Sequence, residues 1–412
     1  MNGRPAVVVG AGPAGLAAAL ELRRRGVAPV VLLEREADAG GIPRLAHHQG
    51  FGLRDLRRPL FGPDYARHYV RLARAAGVEL LTETMVTGWS AAGDLELTSP
   101  HGRDTLGPGV LVLTSGCRER PRSARLVPGS RPAGVLTTGM LQQLVYRHGR
   151  RPGRRALIVG AEHVSFSAML TLAHGGARVV GMVTERPRHQ SAALFRAGAA
   201  LWFRVPLWTR TGVTAIHGQT RVAEVEVTDL VTGRVRSVPC DTVVFTADWV
   251  PDNELAIAAG IALDPGTRGP AVDAALRTSR PATFAAGNVL HGAETADVAA
   301  LSGRHAGAAA ARFLRGEADW PADRVPVVCE TPLGWIVPNA IALGREAPAR
   351  GRFALRAGDF LRAPLIAIEQ DGRRLWRGRL ARVGPGRSAR LPHAWTARVE
   401  QGGGPVRVKV AG

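Results

Sequence analysis

The stretch Gly10-Ala11-Gly12-Pro13-Ala14-Gly15 decides the fold of the N-terminal region. An apolar run, Ala6–Val9, precedes it as a buried strand would, and an Ala- and Leu-rich segment typical of a helix follows it. A second apolar run, Val30–Leu33, leads into Glu34. Glycines at this spacing permit a tight turn, close approach of a pyrophosphate and close helix–strand packing, while the Glu34 carboxylate can accept from ribose hydroxyls. The sequence therefore predicts a βαβ unit that binds a dinucleotide.

The composition bounds the class of protein. With 412 residues the chain is too long for one hydrophobic core, which predicts two or three domains. The formal net charge is +20, but Lys409 is the only lysine and the arginines are spread along the chain, which indicates a compositional bias toward arginine. No basic motif with interleaved aromatic residues accompanies this charge, which argues against nucleic-acid binding. An acidic protein partner or an anionic substrate fits the charge better.

The apolar runs and the cysteines exclude further classes. The apolar runs are no longer than strands, and the first belongs to the glycine motif, so we expect no membrane span, no signal peptide and a soluble, cytoplasmic protein. Cys117, Cys240 and Cys329 are far apart, which argues against a disulfide scaffold and against a zinc or iron–sulfur site within the chain. His47 and His48 are adjacent but lack a further ligand set, so we predict no metal site.

The strand–turn–helix pattern recurs in the middle of the chain. Residues 156–159 form a strand-like run before Gly160-Ala161-Glu162-His163-Val164-Ser165, and a helix-like segment and the strand Arg178–Thr184 follow. Glu162 replaces the glycine that lets a pyrophosphate approach, and Ser165 replaces the glycine that packs helix on strand. A side chain at position 162 would block that approach, and its carboxylate would repel a pyrophosphate.

Two interpretations of this second unit remain open. The unit is either a retained shell that binds no nucleotide, or it binds NAD(P)H in a shifted position. In the second case Glu185 would face a ribose, or Arg186 and Arg188 would face a 2′-phosphate. The motif alone therefore leaves the use of NAD(P)H undecided.

The rest of the chain continues the α/β pattern and then changes. Residues 223–230 and 234–238 alternate like an antiparallel pair, and residues 242–246 form another buried run. A strand and turn at 283–288 lead into a helix that begins near residue 295. Beyond Pro321 short strand-like runs recur, which predicts a small all-β, sandwich-like module without recognisable chemistry.

These motifs together resemble the pyridine nucleotide–disulfide oxidoreductase superfamily, flavoproteins with two dinucleotide-binding domains. The resemblance is carried by the first glycine motif with Glu34, by Thr114-Ser115-Gly116 and by Ala286-Gly287-Asn288. It implies noncovalent FAD as the cofactor. The residues implied for FAD binding are Gly10, Gly12, Pro13, Ala14, Gly15, Glu34, Arg35, Gly41, Arg44, Val86, Thr114, Ser115, Gly116, Gly287, Asn288, Asp297 and Val298.

The resemblance also implies the architecture. We expect an α/β protein with two three-layer, Rossmann-like dinucleotide-binding domains and a C-terminal all-β module. The FAD-binding domain would take residues 1–120 and 242–320, the NAD(P)-binding-like domain with its degenerate glycine motif residues 121–241, and the β-rich domain residues 322–412.

Three stretches resemble more narrowly the FAD subunits of opine oxidase, hydrogen cyanide synthase and related amine dehydrogenases. They are residues 40–44, 116–122 and 160–165. This resemblance implies oxidation of a C–N bond in a complex with a second flavoprotein and a [2Fe–2S] protein. Many such subunits carry a cysteine cluster where this chain has its β-rich module, so an iron–sulfur centre would have to come from a partner.

We therefore expect an FAD-dependent oxidoreductase of the amine dehydrogenase or oxidase type that acts on a small-molecule substrate. His47, His48 and His291 are the candidate catalytic residues, since a histidine near the flavin could take the proton of a substrate amine. Arg44 and Glu294 are further candidates near the flavin. One alternative is an NAD(P)H-dependent flavin reductase that passes electrons to oxygen, a quinone or a ferredoxin, and another is a non-catalytic FAD-binding subunit. Disulfide reduction is excluded, because it needs two thiols in contact and the sequence offers no cysteine pair.

Overall fold

The structure is a computed structural model that describes residues 3–191, 204–342 and 346–411. The chain divides into two compact units, each assembled from more than one segment. Unit 1 contains the described residues of Met1–Arg44, Gln49–Cys117 and Pro251–Gly412, and unit 2 contains those of Leu45–His48 and Arg118–Val250.

Unit 1 is built on a parallel sheet of five short strands. Four of these strands are buried along their whole length, as expected of apolar strands in a sheet that is covered on both faces. The strands lie in the order Thr283–Ala285, Val110–Leu113, Ala6–Val9, Val30–Leu33 and Glu79–Leu81.

Two helices of unit 1 pack closely beside this sheet. The first helix, Pro13–Arg24, lies against the final helix, Ala296–Leu314. Their backbones nearly touch, since a Cβ on Gly303 would lie 1.9 Å from the Ala14 carbonyl oxygen. A Cβ on Gly287, before the final helix, would lie 2.6 Å from the Ala14 Cβ. The segment that follows the strand Thr283–Ala285 is thereby packed against the start of the first helix.

Unit 2 repeats this architecture. The helix His163–His174 follows a buried strand, and hydrophobic clusters lie on both faces of a second parallel sheet. An antiparallel three-stranded sheet formed by Thr211–His217, Glu224–Asp229 and Val235–Pro239 accompanies it. The parallel strands lie in the order Val135–Thr137, Thr242–Phe245, Arg155–Val159, Arg178–Thr184 and Leu207–Thr209.

The C-terminal part of unit 1 is rich in β structure and encloses a hydrophobic core of its own. Phe353 and Trp395 are among its largest buried side chains, and their ring centroids lie 4.9 Å apart. One sheet has the order Ala340–Ala342, Arg324–Cys329, Val406–Val410, Leu365–Gln370 and Arg373–Arg379, and the other has Leu333–Val337, Arg352–Ala357 and Ala389–Pro392.

The remaining elements are short or peripheral. The helices and helical turns are Ile42–Leu45, Gly62–Ala75, Ser123–Arg125, Thr138–Gln142, Gln143–Arg147, Glu254–Ala258, Gly287–Val289, Ala349–Gly351 and Ala394–Arg398. The strands are Gln49–Phe51, Leu60–Phe61, Met85–Trp89, Leu95–Ser99, Gly102–Leu106, Cys117–Glu119, Trp249–Pro251, Leu361–Arg362 and Arg382–Val383.

The predicted fold class is confirmed, with two Rossmann-like units and a β-rich C-terminal region. The predicted domain bounds stay a prediction, and the two units differ from them, since residues 322–411 lie in unit 1 and Leu45–His48 lies in unit 2. The strands Met85–Trp89 and Gly102–Leu106, which flank the strand Leu95–Ser99, were not predicted from the sequence. Across the three described ranges, no helix has both the length and the apolar character needed to cross a bilayer.

Candidate functional site

The first glycine turn joins the strand Ala6–Val9 to the first helix. Gly10 has a φ of +98°, in the left-handed region that favours glycine, and a Cβ on Gly15 would lie 1.9 Å from the Gly10 carbonyl oxygen. The Thr114 hydroxyl donates to the carbonyl oxygens of Val9 (2.7 Å) and Gly10 (2.9 Å) from the neighbouring strand. The turn is therefore locked by close packing on both sides.

The space beside Gly12 fits a pyrophosphate. A Cβ built on Gly12 would meet only the Cα of Gly41, at 4.0 Å, so the backbone is open at this position. No described side chain caps the first helix, which leaves its first N–H groups for another acceptor. An anion placed here would accept these N–H groups and be stabilised by the helix dipole. The residues present therefore fit the diphosphate of FAD.

A second loop packs on this turn and carries Arg44. A Cβ on Gly41 would lie 2.8 Å from the Cα of Gly12, so the two backbones are in contact. The Arg44 guanidinium lies 3.8 Å from the Glu36 carboxylate and 3.6 Å from that of Asp38. Arg44 is thus held beside the turn by acidic side chains, and its contact with FAD stays a prediction.

Glu34 is buried at the end of the second strand. Its Oε2 accepts the Ala11 N–H at 3.0 Å and its Oε1 accepts the Glu36 N–H at 2.9 Å. A carboxylate has about four acceptor positions, so two remain for ribose hydroxyls. The other two residues predicted for this end of the cofactor differ in exposure, since Arg35 is exposed and Val86 is buried.

The turn Thr114-Ser115-Gly116 is anchored to the chain segment that re-enters unit 1. The Ser115 hydroxyl donates to the Asp252 carbonyl oxygen at 2.6 Å, and the Asp252 N–H donates to the Gly116 carbonyl oxygen at 3.0 Å. Thr114, the first residue of this turn, is the residue whose hydroxyl donates to the Val9 and Gly10 carbonyl oxygens of the glycine turn. These contacts bring the predicted residues of this motif next to Gly10.

Gly287 and Asn288 follow the strand Thr283–Ala285. The Gly287 N–H donates to the Ser302 hydroxyl at 3.1 Å, and the Asn288 Oδ1 accepts the Glu294 N–H at 3.0 Å. Asn288 therefore closes the loop that leads to the final helix. The Asn288 Nδ2 also donates to the Glu294 carbonyl oxygen at 3.5 Å, which leaves one acceptor position on Oδ1 and one amide hydrogen. The contact of these groups with the ribityl chain of FAD stays a prediction.

Asp297 has a structural role that the sequence did not reveal. It is buried at the start of the final helix and forms an ion pair with Arg54 at 2.9 Å. It also accepts the N–H groups of Arg54 (3.1 Å) and Val298 (2.9 Å), and the Thr295 hydroxyl contacts its Oδ1. The N–H of Val298 is therefore already bonded within the protein, and a contact of Asp297 or Val298 with FAD stays a prediction.

Replacing Asp297 with asparagine is expected to lower the free energy of unfolding by about 2 kcal/mol, because the buried side chain loses its charge-assisted hydrogen bonds to the exposed Arg54 and to backbone N–H groups. Denaturant unfolding measures this loss. Asp64→Asn is the matched control, since the pair of Asp64 with Arg67 is exposed and should change stability by less than about 1 kcal/mol. Equal losses in the two variants would contradict the role of Asp297.

His291 lies in a half-buried polar cluster of unit 1. Its ring stacks on Trp335, with centroids 4.8 Å apart and planes 14° apart. Its Nδ1 lies 3.1 Å from the Gly292 carbonyl oxygen, which only accepts, so Nδ1 carries the proton and Nε2 keeps a lone pair in the neutral ring. Burial lowers the pKa of His291, so the ring is neutral near pH 7. Glu294 and Arg356 complete the cluster with an ion pair of 3.0 Å.

His47 and His48 lie in unit 2, among different neighbours. The His47 ring stacks on Tyr146 with centroids 3.9 Å apart, and the His48 Nε2 lies 3.0 Å from the Ser167 hydroxyl. Their catalytic role stays a prediction. Of the three candidate histidines, only His291 belongs to the same unit as the first glycine motif.

The second glycine turn is filled by its own side chain. Glu162 is buried, its Oε2 accepts the Ala161 N–H at 3.0 Å, and it forms a reciprocal capping box with Ser165 at the start of the helix His163–His174. The Ser165 hydroxyl also contacts Thr246 at 2.7 Å. At the first turn the equivalent Ala11 N–H is likewise bonded, to Glu34, so the difference lies at position 162, where a buried side chain stands in place of the open Gly12. The second turn therefore does not fit NAD(P)H in the position used at the first turn.

The cysteines do not form a redox pair. None of Cys117, Cys240 and Cys329 is in a disulfide. Burial raises the pKa of Cys240 to about 11 and that of Cys329 to about 12, so both are thiols rather than thiolates at neutral pH. Thiol–disulfide exchange needs a thiolate with a partner sulfur, which this arrangement does not supply.

The fold and the first glycine turn define an FAD-dependent oxidoreductase. The chain belongs to the pyridine nucleotide-disulphide oxidoreductase family, whose model matches residues 4–303. The crystal structure of T. acidophilum thioredoxin reductase has the same fold, with a TM-score of 0.63 and 22% identity over 77% of this chain and 100% of that one.

Two curated relatives are similar in sequence. An opine oxidase subunit of Rhizobium meliloti is 32% identical over 204 residues, which is 47% of this chain and 43% of that protein. The probable ferredoxin reductase CtmF of Castellaniella defragrans is 28% identical over 291 residues, which is 69% of this chain and 67% of that protein. The chain thus matches less than half the length of the opine oxidase protein.

Proposed function

We propose that this flavoprotein is a dehydrogenase that oxidises a C–N bond of an amine or amino-acid-derived substrate, as one component of a complex. The observation that carries the proposal is the self-capped second turn, in which Glu162 takes the place of a nucleotide phosphate. With this turn closed, the electrons that reduce FAD come from an organic substrate rather than from NAD(P)H. The similarity to the opine oxidase protein of Rhizobium meliloti, over less than half of its length, favours an amine as that substrate.

The residues of unit 1 supply the proton chemistry of such a reaction. FAD, when bound, supplies the acceptor for the hydride that leaves the carbon next to nitrogen. Conversion of the amine to an imine also releases a proton from nitrogen, which a neutral imidazole can accept. His291 offers Nε2 for this proton, because its Nδ1 hydrogen faces the Gly292 carbonyl oxygen.

The complex would contain the acceptor of the electrons. The three cysteines are too few and too far apart to ligate an iron–sulfur cluster, so a [2Fe–2S] protein or a second flavoprotein would be a separate chain. A formal net charge of +20 would attract an acidic partner of this kind.

Anaerobic stopped-flow absorbance of the purified flavoprotein tests the proposal. We expect a secondary amine or N-alkyl amino acid from a panel to bleach the flavin band, and NADH and NADPH to leave it unchanged over the same time. Bleaching by NADH or NADPH would overturn the interpretation of Glu162 and indicate a flavin reductase. A flavin that neither amines nor nicotinamides reduce would overturn the dehydrogenase and favour a non-catalytic FAD-binding role.

A further inference from the structure

Three strands of the C-terminal β region place a row of side chains side by side. Trp335 pairs with Arg356 in the antiparallel register of Leu333–Val337 and Arg352–Ala357. The Arg356 guanidinium donates to the Ser388 hydroxyl at 3.2 Å, and Ser388 immediately precedes the strand Ala389–Pro392. We call Trp335, Arg356 and Ser388 the sheet row. They come from three separate segments of chain, and the sheet register brings them together.

The sheet row contacts the loop that leads from the FAD motif to the final helix. Trp335 stacks on the His291 ring at 4.8 Å, and the Arg356 guanidinium lies 4.9 Å from the Trp335 ring. Arg356 also donates to the Glu294 carboxylate at 3.0 Å and to the Ala293 carbonyl oxygen at 3.1 Å. The sheet row therefore touches both ends of the segment 291–294.

The charges of Glu294 and Arg356 both affect the protonation of His291. An unpaired carboxylate beside a histidine favours the imidazolium, which has no lone pair to accept a proton. Burial alone would raise the pKa of Glu294, but Arg356 and then His291 outweigh it and lower that pKa. Burial is also the main cause that lowers the pKa of His291, with Arg356 lowering it further and Glu294 opposing. Arg356 thus keeps Glu294 an anion while offsetting part of the effect of Glu294 on the pKa of His291.

Other charged groups near the cluster do not replace Arg356. Arg390, on the strand Ala389–Pro392, interacts with Glu294 more weakly than with the arginines around it, and Cys117 acts on Arg356. Among the described residues, the ion pair within 4.0 Å of Glu294 is the one with Arg356.

We propose that the C-terminal β region takes part in catalysis, with Trp335, Arg356 and Ser388 as positioning residues that hold His291 as a neutral proton acceptor. This inference rests on the proposed function for the role of His291. The proposal assigns a catalytic support role to the C-terminal β region, in which the sequence predicted no functional residues. Trp335 fixes the plane of the imidazole, Ser388 contacts the Glu294 carboxylate, and Arg356 joins the two.

The test follows the titration of His291 by NMR in the substrate-free flavoprotein, with its signal assigned by its loss in His291→Gln. In Arg356→Gln we expect the midpoint to rise by about 1 pH unit or more, because Glu294 is left unpaired. Arg356→Lys should restore most of the original midpoint. The double variant Glu294→Gln/Arg356→Gln should also return it, since both charges are then gone. Arg352→Gln, an exposed change on the same strand, is the matched control.

The outcomes separate this inference from a purely structural role and from the proposed function. If the sheet row served only to pack the region, the double variant would shift the midpoint at least as far as Arg356→Gln, and that result would overturn the inference. An unchanged midpoint in Arg356→Gln would overturn it as well. If Arg356→Gln does not fold, the lysine and double variants decide between the same two roles.

The rate of flavin reduction gives a second readout. With an amine that reduces the wild type, the rate of Arg356→Gln at pH 5 relative to pH 8 should fall about twofold, because a midpoint raised from about 4 to about 5 leaves about half of His291 protonated at pH 5. A failure of every amine to reduce the flavin would count against the proposed function and leave the NMR result standing.

Discussion

Replacing Gly12 with alanine is expected to weaken FAD binding at least about tenfold while the protein stays folded. Gly12 has φ −78° and ψ −175°, an extended conformation that alanine adopts without strain, and the added Cβ would meet only the Gly41 Cα at 4.0 Å. The methyl group would occupy the space through which a pyrophosphate approaches the backbone. We expect the affinity for FAD to fall at least about tenfold, which is about 1.4 kcal/mol or more. The ratio of flavin to protein absorbance after FAD titration measures this.

Two further glycine variants sharpen that experiment. Gly402→Ala is the matched control, since a Cβ at this exposed position meets nothing within 4 Å, and it should bind FAD normally. Gly15→Ala should instead damage the fold, because its Cβ would lie 1.9 Å from the Gly10 carbonyl oxygen. Normal FAD binding by Gly12→Ala would show that the cofactor lies elsewhere than beside this turn.

Replacing His291 with glutamine is expected to slow substrate-dependent flavin reduction by about 100-fold or more, the usual effect of losing a general base. Glutamine keeps a polar side chain of similar reach but cannot hold a proton at neutral pH. The limiting rate of anaerobic bleaching, with an amine that reduces the wild type, measures the effect. The ratio of flavin to protein should be unchanged, because the ring of His291 contacts Trp335 and the Gly292 carbonyl rather than the glycine turn.

Two other histidines serve as comparisons for this variant. His101→Gln changes an exposed histidine and should leave the rate unchanged. His48→Gln tests the competing assignment, since the sequence marks His48 as strongly as His291. A rate for His291→Gln within about twofold of the wild type, together with a large loss in His48→Gln, would transfer the role to His48.

Local patterns predicted the fold because its strands and turns are encoded in short segments. Ala6–Val9, Val110–Leu113 and Thr242–Phe245 are apolar runs that a parallel sheet buries on both faces, and the structure buries each along its length. The strand Gly102–Leu106 was missed because it is almost entirely exposed and polar, and Met85–Trp89 was missed because its apolar residues do not alternate strictly with polar ones.

The candidate site was predicted only where it depends on a motif. The glycine turn and Thr114 are local signatures, and the structure brings them together as the family resemblance implies. Trp335, Arg356 and Ser388 carry no such signature, because they become neighbours only through the register of three strands. The contact of Asp297 with Arg54 is similarly nonlocal, since the two residues are far apart in the chain. Such pairings follow from tertiary packing rather than from a local pattern.

The Glu162 carboxyl is attached to the second turn, so its local concentration at that turn does not fall when the protein is diluted. A nucleotide approaching the second turn would have to displace a group attached to that same turn, and a short covalent tether keeps the effective concentration of such a group high. Displacement would also break the hydrogen bond of the buried carboxyl with the Ala161 N–H and its capping contact with Ser165, which is costly. If NAD(P)H is excluded as proposed, raising its concentration would overcome that exclusion far less readily than changing the single residue at position 162.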